Sequence, residues 1–266
     1  MKMKWQSALW LLLAFVLCVP ATAFGWGREG HEAIAKIAER HLTHKARARI
    51  ERYLDRHSII YYAKWMDEYR NTPEYGFTGK WHTVPVGSGL SYSDSLRALQ
   101  GDAIFGIETA IRQLQDYRKL SDSIVAFNIK CLVHLVGDMH CPAHIKYADR
   151  QMRYFVQLVD NSGTYRRLHI HHVWDYGIIR AARIWSSSEW ADELDRLSKT
   201  ERQTVASGSP RDWLHESAVR CEVQFDWTHP DDRLGQEFLN RSLPLIERQI
   251  RDAGYRLAAI LNDLFG

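Results

Sequence analysis

The sequence has few cysteines and little net charge, and it has no internal repeats, low-complexity tracts or long linkers. It has 266 residues but only 4 cysteines, so packing rather than cross-linking must hold the fold. Its formal net charge is +3, which is too small for a global positive field to attract nucleic acid. It also lacks internal repeats, low-complexity tracts and any linker long enough to divide it. The sequence therefore predicts one domain with a sizeable core, in which any affinity for a polyanion comes from a local site.

The one long apolar run lies near the start of the chain. A basic stretch at Met1–Lys4 precedes an apolar stretch at Ala8–Pro20 and a small-residue exit at Ala21–Gly25. This order is typical of a secretory signal peptide, and the apolar stretch is too short to span a bilayer comfortably as a helix. No later segment is apolar enough to span one. We therefore expect residues 1–25 to be removed, leaving a single soluble domain at residues 26–266 that is secreted or periplasmic, without stable membrane association.

Removal of this signal peptide would change the charge and the cysteine count. Lys2 and Lys4 would leave, so the formal charge would fall from +3 to about +1. Cys18 would leave with them. The remaining cysteines are Cys131, Cys141 and Cys221. An odd number leaves at least one thiol unpaired or paired with another chain, and the sequence does not select a pair.

Helical periodicity dominates the rest of the chain. The predicted helices are Glu29–Leu42, Lys45–Arg56, Ile59–Arg70, Leu96–Tyr117, Asp122–Met139, Asp212–Phe225 and Leu234–Phe265. The near-continuous apolar run in Asp122–Met139 indicates a central, buried helix. Asn71–Leu90 is rich in glycine and proline and predicts a loop that contains an extended segment. Arg153–Val159 and Thr164–Ile170 alternate apolar and polar residues around a turn and predict a hairpin. The fold class is therefore all-α with a small β-hairpin insertion.

Two pairs of metal-binding residue types share a helical spacing. His134 and Asp138 are four residues apart on the buried helix, and His171 and Asp175 repeat that spacing. Residues four apart lie on one helix face, and imidazole and carboxylate both suit zinc. Such pairs also arise by chance, but on the core face of an apolar helix they are costly unless paired or metal-bound. The proline after this helix should end it and turn His144 back toward the same space. Together these residues predict a metal site.

Six motifs follow one another along residues 26–266. They are Trp26-Gly27-Arg28-Glu29-Gly30-His31, Trp65-Met66-Asp67, Trp81-His82, the run His134–His144, His171-His172-Val173-Trp174-Asp175 and the closing segment Ala253–Ala258. In this order and spacing they resemble the zinc-dependent nucleases of fungi, plants and bacteria, the S-one/P-one type. That family shares a fold with the bacterial zinc phospholipases C. Each motif alone is modest evidence, whereas the whole series is specific.

The resemblance implies three Zn²⁺ ions and their ligands. The first zinc would be held by Asp67, His82, His134 and Asp138. The second would be held by His144, His171 and Asp175. The third would take the α-amino nitrogen and carbonyl oxygen of Trp26, with His31 and a bridging Asp138. This last set requires cleavage after Gly25, although cleavage after Ala23 is also acceptable to a signal peptidase.

The resemblance also implies a reaction. The expected activity is endonucleolytic hydrolysis of P–O3′ bonds in single-stranded DNA or RNA, leaving 5′-phosphates, with a second activity on 3′-nucleotides. Asp67 would orient or deprotonate the attacking water, and the enzyme would be a monomer. Three Zn²⁺ against three carboxylates give a filled site of about +3, a local trap for a phosphodiester. The alternatives are a zinc phospholipase C-like phosphodiesterase and a non-catalytic zinc-binding relative. Phospholipases C of this fold typically close the last ligand motif with Glu, where this chain has Asp175.

Near the predicted site the chain departs from the pattern of the family. The family often frames a base pocket with an aromatic residue and an Asp or Asn, where this chain has Thr83–Pro85. Its substrate loop tends to contain Asp-x-Gly-Gly-Asn, where this chain has Asp149–Arg153, and His169-Ile170 replaces its usual Asn-Leu. Base preference and the choice between DNA and RNA therefore stay open. Four arginines could hold substrate phosphates or form a solvated strand face: Arg150, Arg153, Arg166 and Arg167.

Other side chains near the motifs are expected not to bind metal. His140 is expected to pack against the site or tune it. His169 and His172 flank a predicted ligand and should point elsewhere. Cys141 lies close enough to bind a zinc, but the predicted ligand set is complete without it.

Overall fold

Short polar side chains begin six helices of the computed structural model, which describes residues 26–266. Thr43, Asp102, Ser121, Ser186, Ser198 and Ser209 each accept a hydrogen bond from a backbone N–H of the first helical turn. At the last three of these positions a carboxylate in the first turn bonds back to the cap, which forms a capping box. Local sequence therefore fixes where these helices begin.

The described chain is mainly helical. The helices are α1 Gly27–Arg40, α2 His44–Tyr53, α3 Trp65–Tyr69, α4 Ala103–Leu114, α5 Asp122–His140, α6 Ile170–His172, α7 Ile178–Ala182, α8 Ser187–Leu194, α9 Lys199–Val205, α10 Pro210–Cys221, α11 Gln224–Trp227 and α12 Gln236–Phe265. Short 3₁₀ turns cover Ile59–Tyr62, Gly76–Lys80, Asp94–Leu96, Tyr117–Lys119 and Pro142–His144, and one π-helical turn covers Val173–Gly177. The strands are β1 Val84–Val86, β2 Ile145–Tyr147, β3 Phe155–Val159, β4 Tyr165–His169 and β5 Arg233–Leu234.

Helix α5 is central, as its apolar run predicts. Every residue from Cys131 to His140 is buried. Helix α5 packs against α4 on one side and α12 on another, and α12 packs along α1. The helix that carries His134 and Asp138 is therefore enclosed by other helices, which shields its polar groups from water.

Two predicted helices are shorter than their hydrophobic patterns suggest. The apolar pattern predicts one helix over Leu96–Tyr117, but α4 begins only at Ala103 because Asp102 caps it and Gly101 has a φ of +93°. A left-handed residue at that point breaks the helical path. Ile59–Arg70 was also predicted as one helix. The structure divides it into a 3₁₀ turn and α3, and only α3 carries Asp67.

Small sheets accompany the helices. Strands β3 and β4 form the predicted antiparallel hairpin, with Phe155 opposite His169. Strand β5 adds to β3 in parallel, and β1 pairs with β2 in a separate parallel sheet that sets Val84 opposite Ile145. The prediction of a single hairpin is therefore correct but incomplete. The β1–β2 pair ties the segment after His82 to the segment after His144.

The cysteines of the described residues are not bridged. Cys131, Cys141 and Cys221 are all free and buried. Burial raises the pKa of each thiol, so all three are protonated at neutral pH. Packing rather than cross-linking therefore holds this part of the chain together.

The described residues bear on the prediction about membranes but not on the prediction about the signal peptide. Among residues 26–266, none of the helices is both long enough and apolar enough to cross a membrane. The predicted signal peptide at residues 1–25 lies outside the described residues.

Candidate metal centre

Five histidines and three aspartates gather around the C-terminal half of α5. They are His31 on α1, Asp67 on α3, His82 ahead of β1, His134 and Asp138 on α5, His144 in the turn after α5, His171 on α6 and Asp175 in the π-helical turn. All are buried except His171, whose side chain is 18% exposed. Elements far apart in sequence thus present their ligand-type side chains to one place.

Asp138 lies in the middle of the cluster. Its Oδ2 atom is 3.0 Å from His82 Nδ1 and 3.1 Å from His134 Nε2. Its Oδ1 atom is 3.0 Å from His144 Nδ1 and 3.4 Å from His31 Nε2. One carboxylate therefore reaches four imidazoles, an arrangement in which its two oxygens can serve different metal ions.

One group of ligand atoms consists of Asp67, His82 and His134, all within 4.8 Å of one another. Asp67 Oδ1 is 3.6 Å from His82 Nδ1 and 3.8 Å from His134 Nε2. The carbonyl oxygen of Ala63 lies 2.8 Å from His134 Nδ1 and orients the ring, so that Nε2 faces the cluster. Arg70 places its guanidinium 3.6 Å from Asp67 Oδ1. Sequence patterns did not single out Arg70, although it follows Asp67 by one helical turn.

A second group consists of Cys141, His144 and Asp175. His144 Nε2 is 3.7 Å from Asp175 Oδ1, and the Cys141 thiol lies 3.7 Å from the same oxygen. His171 completes this side of the cluster, with Nε2 3.8 Å from Asp175 Oδ2 and its ring stacked on that of His144. The predicted ligands His144, His171 and Asp175 therefore lie together here. The Cys141 thiol lies among them.

A third group consists of His31, His134 and Asp138. The rings of His31 and His134 stack with centroids 4.1 Å apart. Trp26 is fully buried beside this group, and its indole N–H donates to the Gly137 carbonyl oxygen at 2.7 Å. The start of residues 26–266 is thereby fixed against the helix that carries Asp138.

Two glycines of the motifs are required by close approach. A Cβ at Gly30 would lie 2.9 Å from Trp26 Cβ, and a Cβ at Gly137 would lie 3.0 Å from His31 Nδ1. Any side chain at Gly137 would push His31 away from Asp138. These glycines let α1 and α5 come close enough for their polar groups to share one site.

Many buried polar atoms of the cluster lack hydrogen bonds. Eight buried atoms of the cluster make no hydrogen bond among the described residues: both nitrogens of His31, both oxygens of Asp67, His82 Nε2, Asp175 Oδ2, and Asp138 Oδ1 and His144 Nδ1, which face each other at 3.0 Å without hydrogen-bond geometry. Buried polar atoms are normally satisfied, and so many orphans in one place indicate ligands for cations. The donor set of imidazoles and carboxylates suits zinc. The residues present therefore fit the metal that the sequence motifs imply.

The pKa values of the cluster diverge. Burial, aided by the neighbouring His134, lowers the pKa of His31 to about 4. Burial would also lower the pKa of His134, but the carboxylates of Asp138 and Asp67 outweigh it and raise the value to about 9. Burial raises the pKa of Asp175 to about 7. Without metal, His134 therefore holds a proton at neutral pH, and Asp175 is partly protonated.

The remaining histidines point away from the ligand groups. His140 Nδ1 lies 2.7 Å from the Val136 carbonyl oxygen, and the Arg256 guanidinium lies 2.8 Å from His140 Nε2. Both ring nitrogens of His140 are thus occupied by protein, as expected of a packing residue. His169 and His172 lie on the cavity beside the cluster rather than inside it.

A cavity of about 490 Å³ opens beside His171. We call it the basic cavity, because Lys146, Arg150 and Arg153 line it. His171 and Phe225 also belong to its lining. The other two arginines of the sequence prediction lie elsewhere. Arg166 pairs with Asp160 at 2.7 Å, and Arg167 stacks on Phe155 at 3.9 Å. Two of the four arginines therefore reach the cavity.

An all-α fold whose central helix carries a buried cluster of imidazoles and carboxylates defines a candidate metal-dependent enzyme. The sequence model of the S1/P1 Nuclease family matches residues 26–266, and the chain belongs to this family. The family resemblance inferred from the motifs is confirmed. The protein is accordingly a hydrolase that acts on ester bonds of nucleic acid, in a family that is zinc-dependent in general.

Individual relatives match over nearly the whole chain. Endonuclease 2 of Arabidopsis thaliana is 24% identical over 96% of this chain and 96% of its own length. Nuclease S1 of Aspergillus oryzae is 25% identical, with 94% of this chain and 95% of the relative covered. Nuclease P1 of Penicillium citrinum is 23% identical, with 91% and 98% covered. The family model, which matches residues 26–266, includes all six motifs.

Proposed function

We propose that this protein is an exported zinc-dependent endonuclease of single-stranded DNA and RNA. It hydrolyses P–O3′ bonds to leave 5′-phosphates and also removes phosphate from 3′-nucleotides. The observation that supports the proposal most directly is the convergence of four imidazoles on Asp138, within a cluster of orphaned buried donors. Unstacked strands are the preferred substrate, because they bring a phosphate into a recessed site more easily than a duplex does.

Three zinc ions are proposed to occupy the cluster. Asp67, His82, His134 and Asp138 would hold the first. His144, His171 and Asp175 would hold the second. The α-amino nitrogen and carbonyl oxygen of Trp26, with His31 and Asp138, would hold the third. When bound, zinc supplies Lewis acidity toward a phosphate and lowers the pKa of water in the site.

Asp67 is the proposed catalytic residue. Its carboxylate is buried and faces the imidazoles of the first group, and neither oxygen has a hydrogen-bond partner among the described residues. A carboxylate in that state can orient the attacking water and accept its proton. The guanidinium of Arg70 lies 3.6 Å from Oδ1 of this carboxylate, at the edge of the first group.

The N-terminus is proposed to take part in the site. Cleavage of the signal peptide after Gly25 would free the amine of Trp26, a residue that is fully buried and whose indole is fixed to the Gly137 carbonyl oxygen on the helix that carries Asp138. A ligand of this kind exists only in the processed protein. We also propose that the protein acts after export to the periplasm or the medium. It would act as a monomer that does not associate stably with membranes.

A substrate panel tests the function. Exported protein is incubated with single-stranded DNA, RNA, duplex DNA, a 3′-mononucleotide and phosphatidylcholine, and the products are identified. We expect 5′-phosphorylated products from single strands, phosphate from the mononucleotide, a zinc content near three per chain and loss of activity on chelation. Release of phosphocholine without nuclease activity would identify a phospholipase C-like enzyme instead. No turnover at full zinc occupancy would identify a non-catalytic zinc-binding protein.

A further inference from the structure

The basic cavity shares a wall with the metal cluster. His171 faces Asp175 on one side, and on the other side it lines the cavity together with His169 and His172. A volume of about 490 Å³ is within the usual range for a ligand pocket. A substrate whose phosphate sits at the cluster therefore has room to continue into this cavity.

The cavity concentrates positive charge. Lys146, Arg150 and Arg153 line it, and within the described chain no carboxylate does. The Lys146 ammonium donates to the Ala143 carbonyl oxygen at 2.8 Å, which holds it beside His144. Three cations at the edge of a cluster that would itself be positive when filled are unfavourable unless an anion joins them.

Arg150 and Arg153 are presented differently. The Arg150 guanidinium stacks 5.3 Å from the ring centroid of Phe225 and lies 3.5 Å from Glu222. These contacts hold it against the cavity wall. Arg153 is exposed, and among the described residues no side chain pairs with it. Its five N–H donors are thus available to a ligand with acceptor oxygens.

The segment that carries both arginines is fixed at its two ends. Tyr147 at the end of β2 donates its hydroxyl hydrogen to the Ala218 carbonyl oxygen at 2.7 Å. Tyr154, just ahead of β3, donates to the Thr228 carbonyl oxygen at 2.6 Å. Residues 148–153 therefore form a bridge between two anchored tyrosines, and its cations stay over the cavity.

We infer that the basic cavity is a second phosphate subsite, which binds a substrate phosphate adjacent to the scissile one. This inference rests on the proposed nuclease function, and it specifies that a chain with at least two phosphates is bound more tightly than a substrate with one. Guanidinium groups bind phosphate through paired, charge-assisted hydrogen bonds, which suits Arg150 and Arg153. The arginines also leave less space for a nucleobase in the cavity, because the Arg150 guanidinium already stacks on the ring of Phe225.

Three dinucleotides test the subsite. One carries only the scissile internucleotide phosphate, the second adds a 5′-terminal phosphate, and the third adds a 3′-terminal phosphate. Initial rates at several concentrations give KM and kcat for each. We expect one of the two phosphorylated dinucleotides to have a KM about tenfold lower than the unphosphorylated one, the scale of one charge-assisted hydrogen bond. That advantage should shrink as salt is raised.

Variants assign the effect to the cavity. Arg153→Gln should remove most of the KM advantage, and Arg150→Gln with Arg153→Gln should remove all of it. Arg167→Gln is the matched control, because Arg167 lies on the neighbouring strand but stacks on Phe155 outside the cavity. Equal KM values for all three dinucleotides in the unmodified enzyme, or an advantage that survives the double variant, would overturn the subsite. Failure to cleave any dinucleotide or longer strand would instead count against the proposed nuclease function itself.

Discussion

Asp138 Oδ1 lies 3.0 Å from Nδ1 of His144, across the junction where α5 ends and the chain turns back. The two residues are six positions apart, and the turn that joins them runs through Pro142. The same carboxylate reaches His82 and His134 with its other oxygen. Asp138 therefore contacts imidazoles on both sides of the cluster.

Replacing Asp138 should damage more of the site than replacing any other ligand. Asp138→Asn keeps the shape but removes the charge, so two proposed zinc positions lose a ligand together. We expect the zinc content to fall by more than one ion per chain and activity to fall more than about 100-fold, because even outer-shell changes cost about 10–100-fold. Metal analysis and initial rates on single-stranded DNA measure both. Asp160→Asn, in the exposed turn of the hairpin, is the carboxylate-to-amide control, and an Asp138→Asn protein with full zinc would contradict the shared role.

Zinc uptake should release protons. In the metal-free protein the neighbouring carboxylates, against the effect of burial, hold the pKa of His134 at about 9, and burial raises the pKa of Asp175 to about 7. Below about pH 9 His134 is protonated, and zinc must displace that proton to bind. We therefore expect apparent zinc affinity to fall as the pH drops from 9 to 6. Calorimetric titration in buffers of different ionisation enthalpy counts the protons released, and uptake without proton release at pH 7 would be the contrary result.

Arg256 should stabilise the fold without affecting the metals. Its side chain is buried and lies 2.8 Å from His140 Nε2, and it also donates to the Val205 carbonyl oxygen. Arg256→Met should lower the free energy of unfolding by about 1–3 kcal/mol, because buried acceptors are left without a donor. Zinc content should stay the same, since His140 faces away from the ligand groups. Urea denaturation and metal analysis check the two statements, and a loss of zinc in this variant would show that His140 acts on the site.

An extension ahead of Trp26 should cost one zinc. An amide nitrogen cannot replace the free amine, because its lone pair is delocalised into the carbonyl. We expect exported protein to begin at Trp26, and a cytoplasmic form with a few added residues to be folded, poorly active and short of one zinc. Intact mass, circular dichroism and metal analysis make the comparison. Removing the extension with a protease that leaves Trp26 first should restore the zinc, whereas full activity with three zincs in the extended form would refute the N-terminal ligand.

Much of the fold was predictable because its signals are local. The apolar run of α5 indicates burial, and the alternation around Asp160 indicates the hairpin. The β1–β2 pair was not predictable, since three-residue strands have no measurable period and their pairing depends on tertiary approach. The start of α4 at Ala103 was missed because the cap at Asp102 competes with an apolar pattern that continues past it.

The candidate site was predictable as a set of residues but not as an arrangement. Motif order identified the histidines and aspartates, and the structure gathers them around Asp138. The sequence predicts that Cys141 lies near a zinc, but its 3.7 Å approach to Asp175 Oδ1 follows from the turn geometry, which no spacing rule gives. Likewise, Arg256 meets His140 only because α12 crosses the end of α5.

Tyr147 and Tyr154 anchor the two ends of residues 148–153, so the sequence of this bridge can change while its ends stay in place. Tyr147 and Tyr154 bond to backbone carbonyl oxygens outside the bridge, so their positions do not depend on what lies between them. None of the predicted zinc ligands belongs to the bridge. Evolution or an engineer can therefore rewrite its length and charge at little cost to the metal cluster, and specificity in this scaffold can diverge while the chemistry stays the same.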